Sequence, residues 1–309
     1  MKKTTIRAEN MNKNCFVIPV NLPKINWLIS FLNSIEVHSK SFPFDIIIGA
    51  SDEEEYRRYA RLIPFMSRGP KIYIIDISRY IRETLESNEI FDRYIHNADG
   101  CIVNLKKFIL LKWAVDHDYD RIASVDGDTL AIRDMSDVFD AMHKNYQKKI
   151  LVGSSFHHND VSHITTQCLR HFDENLQYKL KNSDGHFIYT WFFDAPYMER
   201  EDLIEFFDYM NHRYGSLQDW LKIINRDDFE HQIFHYWMYL YKNCTIFDTK
   251  YITGHLKPET YLYTHLLSIN NIENYCPVWV YAWEFMHQPD IVHGLPNIFM
   301  LSHFDRMFL

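Results

Sequence analysis

The chain has 309 residues, 41 acidic against 33 basic, and a net charge of −8. That balance excludes a general nucleic-acid or anionic-membrane surface, since both need basic stripes, so a phosphate-bearing ligand has to be met locally by a metal and a few cations. With 47% hydrophobic and 24% charged residues the chain can bury a large core, and no Pro/Gly/Ser-rich linker, internal repeat or low-complexity tract divides it.

The cysteines Cys15, Cys101, Cys168, Cys244 and Cys276 are odd in number, widely spread and lack a C-x-x-C pair. A disulfide framework or zinc site is therefore not expected, and a reducing compartment fits. The first residues are polar and lack the apolar core of a signal peptide, and no stretch reaches the ~18 apolar residues that span a bilayer. The expectation is a cytoplasmic protein without a transmembrane segment, with room for peripheral membrane contact.

In chain order, Cys15-Phe16-Val17-Ile18-Pro19-Val20 reads as a short buried strand, Ile25 to Val37 as a helix with an apolar stripe, and Asp45 to Ala50 as a second strand. Ser51-Asp52-Glu53-Glu54-Glu55 reads as an N-cap followed by first-turn acids, which suit the positive end of a helix dipole. Lys71 to Ile77 is a third strand, Val103 to Val115 a mostly buried helix, and Ile122 to Val125 a fourth strand. This rhythm predicts an α/β fold with a mostly parallel sheet and helices on its faces.

The second half is less regular and more aromatic. Lys149 to Val152, Phe187 to Phe193, Thr245 to Phe247 and Ile298 to Leu301 read as strands, while Arg200 to Met210 and Phe229 to Tyr241 have helical apolar spacing. Exposed Trp and Tyr rings can stack on flat ligand faces, although most aromatics simply fill cores. The expected organisation is one unit over residues 1–309 in two halves, about 14–150 and about 151–309.

The most informative run is Arg121-Ile122-Ala123-Ser124-Val125-Asp126-Gly127-Asp128-Thr129-Leu130, where two carboxylates stand two positions apart at the end of an apolar strand. Gly127 between them lets the chain bend as it leaves the sheet. An Asp-x-Asp by itself is commonly a solvated, capped turn. Here it ends a strand near the middle of an α/β chain, where ligands collect, and two hard anionic oxygens suit Mn²⁺ or Mg²⁺ holding a diphosphate.

With its continuation Ala131-Ile132-Arg133-Asp134-Met135-Ser136-Asp137-Val138-Phe139-Asp140, this region resembles the metal-binding region of GT-A-fold glycosyltransferases, in particular the glycogenin-like family 8 group. The motif-level resemblance covers residues 103–140 and is only architectural elsewhere. It implies a Rossmann-like GT-A fold, with a mostly parallel central sheet flanked by helices and an acceptor-binding C-terminal half. It also implies a hexosyltransferase moving a sugar from a nucleotide-sugar, a UDP-sugar by preference, to a hydroxyl acceptor. Family analogy makes that acceptor a carbohydrate or lipid-linked glycan of bacterial surface polysaccharide.

The resemblance also implies site residues. Asp126 and Asp128 would hold the metal, with Gly127 between them at the donor. The family carries a basic residue in the preceding helix near the donor phosphate or sugar, matched here by Lys106 or Lys107; the alternative is two solvated lysines on a first turn. Pro19-Val20-Asn21 ends the first strand where such enzymes meet uridine, and Asn21 offers both a donor and an acceptor.

A C-terminal histidine completes the family's metal shell, for which His303 is the first candidate, His293 the reserve and His255 the third; Arg306 lies close enough in sequence to His303 to help with phosphate. The family's Lys-Pro-Trp element is missing. Asp194 and Glu230 come from the two regions that supply polar groups near the anomeric carbon and the acceptor, whereas Asp227 and Asp228 read as helix caps.

An acid acting as base on the acceptor hydroxyl gives inversion, and attack from the leaving-group face gives retention, the outcome the family resemblance favours. Three rival readings remain. In haloacid-dehalogenase-type phosphatases the threonine falls two residues after the second aspartate, whereas Thr129 follows directly. The others are an effector-type protein glycosyltransferase and a non-catalytic nucleotide-sugar-binding protein.

Overall fold

Alternate residues of the first strand, β1 (Asn14–Pro19), enter opposite layers: Cys15 and Val17 join one buried cluster, Phe16 and Ile18 another. That is the two-residue period of a strand covered on both faces. The computed structural model describes residues 12–63, 69–153, 155, 158–190, 196–248, 279–281 and 298–302. The later strands are β2 (Asp45–Ala50), β3 (Ile72–Asp76), β4 (Arg121–Ser124), β5 (Leu130–Ala131), β6 (Ile150–Gly153), β7 (Tyr197–Glu199), β8 (Thr245–Asp248), β9 (Trp279–Tyr281) and β10 (Met300–Ser302).

The main sheet has the order β3-β2-β1-β4-β7. Strand β1 pairs in parallel with β2 and β4, and β2 with β3, while β7 runs antiparallel to β4 at the edge. The chain thus forms the α/β fold with a mostly parallel central sheet that its sequence rhythm predicts. The predicted strands 149–152 and 245–247 form a separate parallel pair, β6 with β8. Residues Phe187 to Thr190, the described part of another predicted strand, make only an isolated antiparallel bridge from Phe187 to Lys181. Strands β5 and β7 were not anticipated, because two or three residues are too short to show a period.

The helices are α1 (Ile25–His38), α2 (Glu53–Leu62), α3 (Ile77–Glu83), α4 (Asn88–Ile95), α5 (Ile102–Asp116), α6 (Val138–Gln147), α7 (His158–Leu169), α8 (Glu174–Gln177), α9 (Arg200–Tyr214), α10 (Leu217–Leu221) and α11 (Glu230–Tyr241). Residues of α1, α2 and α6 cover one face of the sheet with Phe16, Ile46, Ile48 and Ala123. On the other face α5 lies against Cys15, Val17, Ile47 and Ile122 and is itself covered by α4, α9, α10 and α11. It is apolar nearly all round, burying Leu105, Phe108, Ile109, Leu110, Leu111, Ala114 and Val115, as a helix in mid-layer must. Helix α2 starts one residue later than Ser51 would have capped it. The Asp52 carboxylate accepts from Glu55 N–H at 2.9 Å, and Glu55 reaches back to Ser51 N–H at 2.7 Å, a reciprocal cap. No helix among the described residues is long and apolar enough to cross a membrane.

Asp228 is not a helix cap. Its carboxylate is fully buried and accepts from His171 Nε2 at 2.8 Å, Arg170 at 2.6 Å and the backbone N–H of Asn225 at 2.9 Å. Trp220 Nε1 donates to His171 Nδ1 at 3.3 Å, so the network assigns the imidazole proton to Nε2. Burial lowers the His171 pKa despite Asp228, and burial together with nearby His231 lowers that of His235 to about 3. Both rings are therefore neutral in the fold and take a proton more readily once unfolded. Stability should be complete above pH ~6.5 and should fall below it, by up to ~1.4 kcal/mol per pH unit for each histidine. Unfolding midpoints measured from pH 7.5 to 5 check this, and His235→Leu should flatten the slope.

Candidate functional site

The sheet order places a switch point between β1 and β4, because the chain winds outward through β2 and β3 and then returns to the other side of β1. At such a point the crevice outside the carboxyl ends of the strands receives ligands. Strand β1 leaves the sheet through Pro19-Val20-Asn21. Strand β4, registered Val17 to Ser124, leaves it through Val125-Asp126-Gly127-Asp128, with Val125 N–H donating to Val17 O at 3.0 Å. A Cβ on Gly127 would stand 2.6 Å from Val20 Cγ2, so glycine lets the aspartate loop pack onto the end of β1. The two predicted segments are therefore in contact.

The two lysines of α5 diverge, and neither is solvated. Lys107 Nζ lies 3.3 Å from Asp126 Oδ1 and 3.1 Å from Glu230 Oε1. Lys106 instead donates to Val20 O at 2.6 Å and sits 3.7 Å from Glu55, fixing the backbone of the loop after β1. Burial lowers the Lys106 pKa to about 8, with Glu55 opposing. For Lys107 burial also pulls downward, but Asp126 and Glu230 outweigh it and the pKa is raised.

Glu230 opens α11 and is fully buried beneath the site, where Ser124 Oγ also donates to its Oε1 at 3.1 Å. Burial would raise its pKa, yet Lys107 and His231 hold it far below the usual carboxylate range. In this geometry its carboxylate holds Lys107. His231, 3.7 Å away and buried, has its pKa lowered by burial, with Glu230 opposing. Asn104 of α5 donates to Asn225 O and Arg226 O, both at 2.9 Å, and so ties the segment leading into α11 to the same helix.

Sequence reasoning missed Lys24, at the end of the short 3-10 turn Leu22–Lys24 that follows Asn21. Its ammonium lies 3.0 Å from Asp128 Oδ2. The available signal was a cation three residues past Asn21 on the same loop. Ser124 and His231 were also missed, since nothing in their spacing marks them.

Asp126, Asp128 and Glu230 supply three negative charges; Lys107 offsets one and Lys24 a second, so one is left with Lys24 in place and two if a divalent cation takes its position. Among the described residues no three His, Cys, Asp or Glu side chains converge as a complete metal cage. Two carboxylates nevertheless fit a hard ion such as Mg²⁺ or Mn²⁺, which keeps waters and takes substrate phosphates as further ligands. Asp194, His303, Arg306, His293 and His255 lie outside the described residues. A second sheet, β5-β10-β9, borders the site. Its pairs step from Met300–Ala131 to Leu301–Leu130, so β10 advances along β5 in the direction of Asp128 as it approaches Ser302.

No family model matches the chain, and no curated protein matches it in sequence. Several solved structures show limited backbone similarity to it. The apo form of mouse xyloside xylosyltransferase 1 is 10% identical, with 94% of this chain and 97% of that chain aligned at a TM-score of 0.48. The apo WbbM bifunctional glycosyltransferase is 10% identical over 94% of this chain and 46% of its own, at 0.46. Residues 1–349 of S. aureus TarS in complex with UDP-GlcNAc are 13% identical over 46% of this chain and 34% of theirs, at 0.30. At such identities and scores the functional reading has to rest on the residues of the site.

Proposed function

We propose that this chain is a metal-dependent glycosyltransferase of GT-A type that moves a sugar from a UDP-sugar to a hydroxyl acceptor, a surface glycan by preference. The observation that carries this reading is the convergence, at the switch point between β1 and β4, of Asp126 and Asp128 with the Lys107 ammonium. Bound there by the two aspartates, Mn²⁺ or Mg²⁺ would act as a Lewis acid on the diphosphate and neutralise the leaving oxygens. Lys107 holds Asp126 in one orientation, and Glu230 with Ser124 holds Lys107 from below. Asn21 follows β1 at an exposed position and offers a donor and an acceptor to uracil or ribose. Lys106 keeps that loop in place through Val20 O. His303, outside the described residues, remains the proposed third metal ligand, and Arg306 the proposed phosphate contact. Asp194 remains the proposed group near the anomeric carbon.

A thermal-shift panel of UDP-, GDP-, CMP- and dTDP-sugars with and without Mn²⁺ tests the proposal. A donor at a hundred times its dissociation constant should add ~2.7 kcal/mol, seen for a UDP-sugar and only with the metal present. His303→Ala should lose the metal-dependent part of that shift and His293→Ala should keep it. A larger shift with GDP or CMP donors, or one indifferent to Mn²⁺, overturns the reading.

A further inference from the structure

The two aspartates are held by two quite different lysines. Lys107 is sealed in, its side chain 9% exposed, and shared between Asp126 and the fully buried Glu230. Removing it would strand a carboxylate with no access to water, so it stays where it is. Lys24 reaches Asp128 from outside: its side chain is 47% exposed while that of Asp128 is only 6% exposed. It stands on the short turn directly after Asn21, whose carbonyl accepts from the Lys24 N–H at 2.9 Å. An ammonium at hydrogen-bonding distance from a nearly buried carboxylate occupies one of the oxygens that a divalent ion would take. Its long, half-solvated stem lets it turn toward water once a divalent ion takes over the charge of Asp128.

Resting on the metal-dependent reading above, we propose that Lys24 is a displaceable internal cation: it neutralises Asp128 in the metal-free protein, gives way when Mn²⁺ binds, and then turns to the donor diphosphate. The charge arithmetic favours the exchange. Asp126, Asp128, Glu230 and Lys107 together carry two negative charges, of which Lys24 can offset only one and a divalent ion both. Once displaced, Lys24 would remain tethered beside Asn21, a side chain's length from Asp128, where it could meet the diphosphate. The same residue therefore opposes metal binding and favours diphosphate binding, a pairing of opposite signs that a merely structural lysine does not produce.

The test is Lys24→Met, which keeps the stem and removes the charge, with Lys24→Arg as the conservative control. Free Mn²⁺ is followed by its electron paramagnetic resonance signal without nucleotide, and UDP is titrated calorimetrically at saturating Mn²⁺. An ion pair whose cation is half-exposed is worth about 1 kcal/mol, so Lys24→Met should tighten Mn²⁺ alone by roughly fivefold. It should also weaken UDP in the presence of Mn²⁺ by a similar or larger factor, while Lys24→Arg stays near wild type. If wild type binds Mn²⁺ and Asp128→Asn abolishes that binding, but Lys24→Met leaves Mn²⁺ affinity unchanged or lowers it, the proposal is overturned and the metal-dependent reading survives. If wild type binds no Mn²⁺ with or without UDP, the metal-dependent reading fails and takes this proposal with it.

Discussion

Lys107→Met should destabilise the fold by about 3–5 kcal/mol, the usual cost of removing one partner of a buried ion pair. Glu230 is fully buried, and the cation holding it ionised would be gone. Ser124 Oγ supplies one hydrogen bond, which cannot replace a full charge. The stranded carboxylate must then either take up a proton or admit water into the layer between α5 and α11. Adding Glu230→Gln to Lys107→Met removes the stranded charge, so the double variant should be more stable than the single one. Urea unfolding with an unchanged m-value reads the effect as a shift in midpoint. Near wild-type stability for Lys107→Met would mean that the pair does not hold the floor of the site.

The second large effect is on turnover. Asp128→Asn preserves size and keeps a polar contact for Lys24, so the protein should fold with nearly unchanged stability. It replaces an anionic oxygen by a neutral one, and metal-assisted stabilisation of a leaving diphosphate is worth several kcal/mol, so Mn²⁺-dependent sugar transfer or donor hydrolysis should fall by roughly a hundredfold or more. Asp126→Asn should fall comparably. It should also loosen Lys107, which keeps Glu230 as its remaining partner. The rate of UDP release from a UDP-sugar at saturating Mn²⁺ measures this directly, and retention of metal-dependent turnover by Asp128→Asn would sink the assignment.

Much of the parallel sheet was legible because its signal is local. Cys15 to Pro19, Asp45 to Ala50 and Ile122 to Ser124 are short apolar runs, and a strand buried on both faces needs no more than that to be recognised. The buried helix Ile102–Asp116 and the aromatic helix Glu230–Tyr241 were equally visible from their apolar spacing. Edge strand β7 and the pairing of β5 with β10 were not, since strands of two or three residues acquire their identity only from the partner they bond.

The site divides along the same line. By itself the sequence determined that two carboxylates end a central strand, that a glycine separates them, and that lysines and a polar turn lie nearby; these depend on residue type and near spacing. Only the tertiary structure decided which lysine does what. Lys106 and Lys107 are adjacent in sequence, but one helical step turns the first to the backbone of Val20 and the second to Asp126 and Glu230. It likewise buried Asp228 against His171, although the sequence read that aspartate as a cap, and brought Lys24 across 104 residues to Asp128. Such contacts arise where β1 and β4 run side by side, so they depend on sheet order, a long-range property that no local pattern of residue types carries.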